Sequence, residues 1–294
     1  MMERLKPNFL FEENKELLAK MKEEYLACPS AIKYINSLKI PEDKVNEEIV
    51  KIYDFVLDLN TCKKCPGIAN CPKSNPMLCT KITYIDGVVG RELVPCKEYL
   101  KQLMFERSFV IRDFDIEWLN GDLKRIDKNT SRAEAIAKYN AYYKGESDNW
   151  LYLQGENGSG RTFLAANIAI DIAKKNRGPV AFIDVPSRFK LLASKKDLEF
   201  KKMLDLRCQI PVLVLDDLGN EYKSDYVREN ILFPILNLRS KNHLFTIITS
   251  DFSIADIATM YTTNLASKPK AEQIKRLLKR VTGGEINQGD LGVY

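Results

Sequence analysis

From Ser131 onward the chain alternates between two hydrophobic rhythms. Apolar residues recurring every three to four positions predict amphipathic helices over 131–144, 162–175, within 187–207 and over 226–239. Short uninterrupted apolar runs predict buried strands over 149–154, 179–184, 211–216 and 244–249. Such a run marks a strand covered on both faces, as in a parallel sheet, and helix alternating with strand predicts a doubly wound α/β domain. The first sixty residues read differently: Glu12–Ala27 and Asp43–Leu59 carry helical spacing, broken at Cys28-Pro29 and Ile40-Pro41. A charged stretch without a clear period, 100–130, is the expected hinge. The organisation predicted is a small N-terminal unit over 1–105, a linker over 106–130 and an α/β domain over 131–294.

Chemistry enters where the first of these strands meets its helix. Gly155-Glu156-Asn157-Gly158-Ser159-Gly160-Arg161-Thr162 has the spacing of a nucleoside-triphosphate loop, with arginine in the lysine position. Successive backbone N–H groups of a glycine-rich turn, followed by a helix N-terminus, cradle phosphate oxygens. Thr162 would put its hydroxyl on Mg²⁺ and the cation at 161 would reach the β- and γ-phosphates, although a planar guanidinium is not equivalent to a compact ammonium there. The second strand of interest, Val212–Asp216, is wholly apolar until its C-terminal end, where ligands bind in such sheets. Asp216 is the expected holder of Mg²⁺, directly or through water, and Asp217 is placed to orient or deprotonate an attacking water. A third strand closes in Thr249-Ser250-Asp251, which would sense the γ-phosphate or serve only as a helix N-cap before Ser253-Ile254-Ala255-Asp256-Ile257. Near the C-terminus Arg276 and Arg280 stand four apart on one helical face, either a solvated surface or guanidinium groups for a phosphoryl transition state.

The N-terminal unit carries a different signal. Five of the seven cysteines fall between positions 62 and 96: Cys62, Cys65, Cys71, Cys79 and Cys96. In a chain expected to be cytoplasmic such clustering reads as a metal site before a disulfide framework. Cys62-Lys63-Lys64-Cys65 is a C-x-x-C knuckle, and tetrahedral zinc needs two further ligands from a later turn. Cys71 returns after only six residues, so Cys62, Cys65, Cys79 and Cys96 are the predicted zinc set, clamping a hairpin at Thr83–Gly90. Unliganded buried cysteines and a redox role are the competing readings.

Composition adds little but excludes some classes. With 294 residues, 45% of them hydrophobic, the chain can bury about two cores. No apolar run approaches the ~18 residues of a membrane span, and no signal-peptide core follows the charged start. The first 100 residues hold 15 basic and 15 acidic side chains, so the whole net charge of +5 belongs to the remainder, a weak pointer to a polyanionic partner.

Taken together, the cysteine spacing, the loop 155–162, the box Leu215–Glu221, the run Tyr226–Arg239, the Thr249–Asp251 terminus and the arginines 276 and 280 resemble bacterial replicative helicase loaders of the DnaI type over nearly the whole length. The resemblance implies an AAA+ P-loop ATPase domain with a parallel sheet, preceded by a small helical zinc-binding domain that grips the replicative DNA helicase. It implies ATP, Mg²⁺ and Zn²⁺ as cofactors, single-stranded DNA as a partner, and self-association through the ATPase domain. It further implies that Asp251 sits at the first sensor, that Arg276 is a finger reaching a neighbour's nucleotide, and that Arg280 fills the second sensor role. Three positions depart from the family pattern: Arg161 for lysine, Asp251 for asparagine, and Cys79 for a common histidine. A transposition-helper ATPase of the insertion-sequence type and a non-hydrolysing zinc-based adaptor are the alternatives.

Overall fold

A computed structural model describes residues 7–124, 126 and 130–288. The chain divides into two compact units, Met1–Leu103 and Met104–Tyr294. Among the described residues, no helix is long and apolar enough to cross a membrane.

In the first unit, helices α1 (Pro7–Leu26), α2 (Pro29–Ser37), α3 (Glu42–Glu47) and α4 (Ile49–Lys63) precede an antiparallel hairpin of β1 (Leu78–Ile85) and β2 (Val88–Pro95). Pro29 and Pro41 stand at helix starts, where a missing N–H costs nothing. The four-residue stripes converge: Ala31, Ile35, Ile49, Ile52 and Val56 bury fully or almost so against Ile82 and Val89 of the hairpin. Polar ties fix the register between helices and hairpin. Tyr34 donates to the carbonyl of Ile82, and the amide of Thr80 donates to Asp58 Oδ2 at 2.5 Å.

Helix α5 (Lys97–Ser108) leads into the second unit, whose sheet is wholly parallel in the order β3-β5-β6-β7-β4-β8: β3 (Phe109–Arg112), β4 (Leu151–Gln154), β5 (Val180–Asp184), β6 (Val212–Asp216), β7 (Phe245–Ser250) and β8 (Ile286–Asn287). Alternate strand residues serve opposite cores. Leu151, Leu153, Phe182, Val214 and Ile247 face α6 (Thr130–Tyr143) and α7 (Arg161–Lys174). Tyr152, Ile183, Leu215 and Ile248 face α8 (Val185–Ser194), α9 (Asp197–Gln209), α10 (Asp225–Val227), α11 (Phe233–Lys241), α12 (Ile254–Met260) and α13 (Lys268–Thr282).

Three elements differ from expectation. The segment read as a linker supplies an edge strand: Phe109–Arg112 pairs with β5, with Phe109 and Phe114 packed on the core around Phe182. Four residues among charged neighbours are too few to show a period, and the half-buried edge needs no continuous apolar run. The predicted helix 226–239 is interrupted by a π turn over Arg228–Leu232, immediately before Pro234. Proline lacks an amide for the α ladder, and a wider turn absorbs the missing bond. The two-residue strand β8 lies below the reach of any pattern.

Candidate functional site

The strand order places the site. After β4 the chain crosses to β5 and returns through β6 to β7, which pairs with β4 itself, so the crevice beyond the carboxyl ends of β4 and β7 is the topological switch point where α/β sheets bind ligands. Gln154 stands opposite Ser250 in that ladder, and Gly155 donates its amide to the carbonyl of Ser250. Residues 155–162 therefore leave the sheet beside the terminus of β7.

The loop has the form its glycines predict. Gly158 and Gly160 are left-handed, at φ +88° and +78°, and Gly160 caps α7 without a side chain, so the first-turn amides of a largely buried helix face the crevice. A Cβ at Gly155 would lie 2.4 Å from Ser159 Oγ, so close approach excludes any larger residue there. Ser159 Oγ, Arg161 Nε and both amide atoms of Gln288 are buried and, among the described residues, lack hydrogen-bond partners. Orphaned polar groups around an amide cradle fit an oxygen-rich ligand such as a triphosphate. Glu156 and Asn157 form the exposed tip of the loop, where the carbonyl of Glu156 accepts from Ser159 N.

The carboxylates of β6 split into different environments. Asp216 is buried, accepts from Thr249 Oγ1 at 2.6 Å and hydrogen-bonds Thr162. Burial pushes its carboxyl up to about 6 against those two hydroxyls, which pull it down. Thr162 and Asp216, the two predicted Mg²⁺ holders, thus meet. Asp217 takes a left-handed backbone, donates its amide to Thr249 Oγ1 and turns its carboxylate to Arg161. Gly219, at φ +102°, closes this turn where a Cβ would meet Ile257 and Phe252 at 2.6 Å. Below it the buried Glu221 accepts from Gly219 N and from the phenol of Tyr261, fixing the turn to α12.

Arg161 does not reach into open space. Its side chain is 8% exposed; Nη1 donates to the carbonyl of Gly155 at 2.5 Å, and Nη2 lies 3.0 Å from Asp217 Oδ1 and 2.5 Å from Asp251 Oδ1. Asn220, which no motif singles out, bridges the same carboxylates by donating to Asp217 Oδ1 and Asp251 Oδ2. Gln288 was equally silent, since it belongs to the site only through its backbone bond to Gln154.

Two predicted residues lie elsewhere. Arg280 donates to Ser240 Oγ and lines a recess with Asp148, Trp150 and His243, which border the amino-terminal ends of β4 and β7. That is the end of the sheet opposite the loop; α13 runs antiparallel to the strands and places Arg280 there. Arg276, a turn earlier, borders a recess with Phe233, Asn237 and Gln273.

In the N-terminal unit Cys62, Cys65, Cys71, Cys79 and Cys96 all line one cavity of about 430 Å³ between the end of α4 and the hairpin. Cys62 and Cys79 approach to 3.9 Å between sulfurs. A tetrahedron with ~2.3 Å zinc–sulfur bonds has edges of about 3.8 Å, so this pair fits one edge. Burial and the adjacent Cys79 thiol push Cys62 up to about 11. Lys73 donates to Cys79 Sγ at 3.1 Å and pairs with Asp58. The four predicted ligands are not assembled, however: among the described residues, no three His, Cys, Asp or Glu side chains are grouped to hold a metal ion.

Comparison with known proteins agrees with this geometry. Residues 130–268 match the model of the IstB-like ATP binding protein family. The replicative helicase loader DnaI of Bacillus subtilis (strain 168) is 25% identical over 284 residues, spanning 90% of this chain and 88% of that protein. A crystal structure of DnaI superposes with a TM-score of 0.54 at 31% identity, covering 61% of this chain and 96% of the other.

Proposed function

This chain belongs to the DnaI-type family of replicative helicase loaders, and on that premise we propose that it is an ATP-dependent loader that places the replicative helicase on single-stranded DNA. The observation that supports ATP is the crevice itself, where the amide cradle 155–162, the Thr162–Asp216 pair and Arg161 converge at the switch point. The amides of the loop bind phosphate oxygens; Thr162 and Asp216 would hold Mg²⁺, which neutralises phosphate charge; Asp217 orients the attacking water once Arg161 has turned to the phosphates. Arg276, on the exposed face of α13, suits a finger offered to a neighbouring subunit. Single-stranded DNA then lies along the assembled ATPase units, whose share of the chain carries the net positive charge.

The alignment with DnaI extends through the N-terminal unit, which favours a loader over a transposition helper. Transfer of helicase hexamers onto circular single-stranded DNA, measured with ATP turnover in the same reaction, tests the reading. The expected result is transfer that needs ATP, with turnover stimulated by the DNA. Helicase binding without transfer, and without nucleotide bound, would instead identify a non-hydrolysing adaptor.

The cysteine cavity is the proposed zinc site, held by Cys62, Cys65, Cys79 and Cys96, where the metal would cross-link the end of α4 to the hairpin. About one zinc per chain is expected by elemental analysis. Cys62→Ser and Cys79→Ser should lose it and Cys71→Ser should keep it; the reverse pattern for positions 71 and 79 would replace Cys79 by Cys71 in the set.

A further inference from the structure

Two of the three departures from the family pattern, at positions 161 and 251, touch each other. Their contact is an ion pair of 2.5 Å, with Asp217 completing it at 3.0 Å and Asn220 holding the two carboxylates side by side. The guanidinium is almost wholly enclosed. A buried cation of that kind needs opposite charge within contact distance, because desolvation is otherwise uncompensated. Asparagine at 251 would leave Asp217 as the carboxylate in contact with it, with Asp216 acting from farther off. Nη2 alone meets both carboxylates while Nη1 holds the carbonyl of Gly155, and the single nitrogen of a lysine at 161 would not do both. The charge at 251 is therefore matched to the guanidinium at 161.

Resting on the ATP-binding reading above, we propose that Asp251 is a positioning residue, the counter-ion that keeps Arg161 seated at the phosphate loop, and that a nucleoside triphosphate binds by taking the guanidinium over from the carboxylates. Three observations point to an exchange and not to a permanent structural pair. Nε of Arg161 is buried with no hydrogen-bond partner among the described residues, so a donor is held ready for an acceptor from outside them. The side chains of Asp217 and Asp251 are both about one-third exposed, so water and Mg²⁺ can screen them when the arginine leaves. The backbone that anchors Nη1, the carbonyl of Gly155, belongs to the phosphate loop, so a small swing moves the fork between carboxylates and ligand without unseating α7. Asp251 in this arrangement competes with the phosphates for Arg161 and does not sense them.

The test is a double-mutant cycle on the full chain with Arg161→Met and Asp251→Asn, read first as melting temperature without nucleotide. Asp251→Asn should lower the melting temperature by about 3–5 °C in the parent and raise it in the Arg161→Met background, where it removes one of two abutting carboxylates. An equal shift in both backgrounds overturns the counter-ion assignment. The second reading is the affinity for ATP with Mg²⁺ by calorimetry. Asp251→Asn should tighten binding about tenfold, since the competitor and a repulsive charge are removed together. The Arg161→Lys, Asp251→Asn double variant should bind as well or better. Unchanged or weaker binding by Asp251→Asn overturns the exchange. If no variant and not the parent binds ATP while the melting temperatures still reverse, the counter-ion assignment stands and the ATP-dependent loader reading falls, and the exchange falls with it.

Discussion

Arg239→Met is expected to unfold the ATPase unit at a temperature roughly 10 °C below the parent, the largest stability loss of any single substitution considered. Arg239 is fully buried and has no carboxylate among its partners. Nε donates to Thr246 Oγ1, Nη1 to the carbonyls of Arg207 and Ile210, and Nη2 to those of Phe245 and Pro211. The guanidinium thus ties the end of α9 and the entry to β6 to the start of β7. Burial pushes its pKa down to about 9, still above neutrality, so the charge is retained and met by carbonyl dipoles. Methionine matches the length of the stem but leaves the acceptors unpaired, at a cost of about 3–5 kcal/mol against a total stability of ~5–15. Lysine should recover less than half, because three donors on one atom cannot span a forked set. Thermal melts followed by circular dichroism read the effect; a variant melting within about 2 °C of the parent would mean that water replaces the guanidinium.

The second large effect falls on nucleotide and leaves the fold alone. Asp216→Asn keeps the shape that accepts from Thr249 and Thr162 and removes only the charge. Affinity for ATP with Mg²⁺ should fall about 100-fold, the worth of a ~2–3 kcal/mol charge-assisted contact, while affinity for ATP without the metal changes less than about threefold. The melting temperature should not drop, since an asparagine escapes the desolvation that a buried carboxylate pays. Calorimetry with and without Mg²⁺ separates the two terms. Equal losses in both would place Asp216 against the phosphates and not the metal.

Much of the site could be read along the chain because its parts are local. The cradle 155–162 is a strand, a turn and a helix in succession, and the apolar run ending in Asp216 declares both its burial and its polar terminus within five residues. The same holds for the helices α1 to α4, where proline and four-residue spacing mark the boundaries. By contrast, Arg280 and Arg276 share a helical face in sequence, yet which end of the sheet that face serves depends on the direction of α13 relative to β4. The edge strand Phe109–Arg112 gains its identity from β5, not from its own residues.

Periodicity and glycine spacing are short-range properties, fixed by backbone sterics and by the need of each apolar face for cover; they determined the α/β class, the phosphate loop and the acidic strand end. Partner choice is long-range. Arg161 and Asp217 lie 56 positions apart, and Asp251 and Asn220 lie on separate elements, so nothing in their neighbourhoods along the chain says that a guanidinium will close across two carboxylates. Only the parallel sheet, by setting β4, β6 and β7 side by side with their carboxyl ends level, brought those charges within 3 Å and made burial of the pair the term that decides how the site behaves.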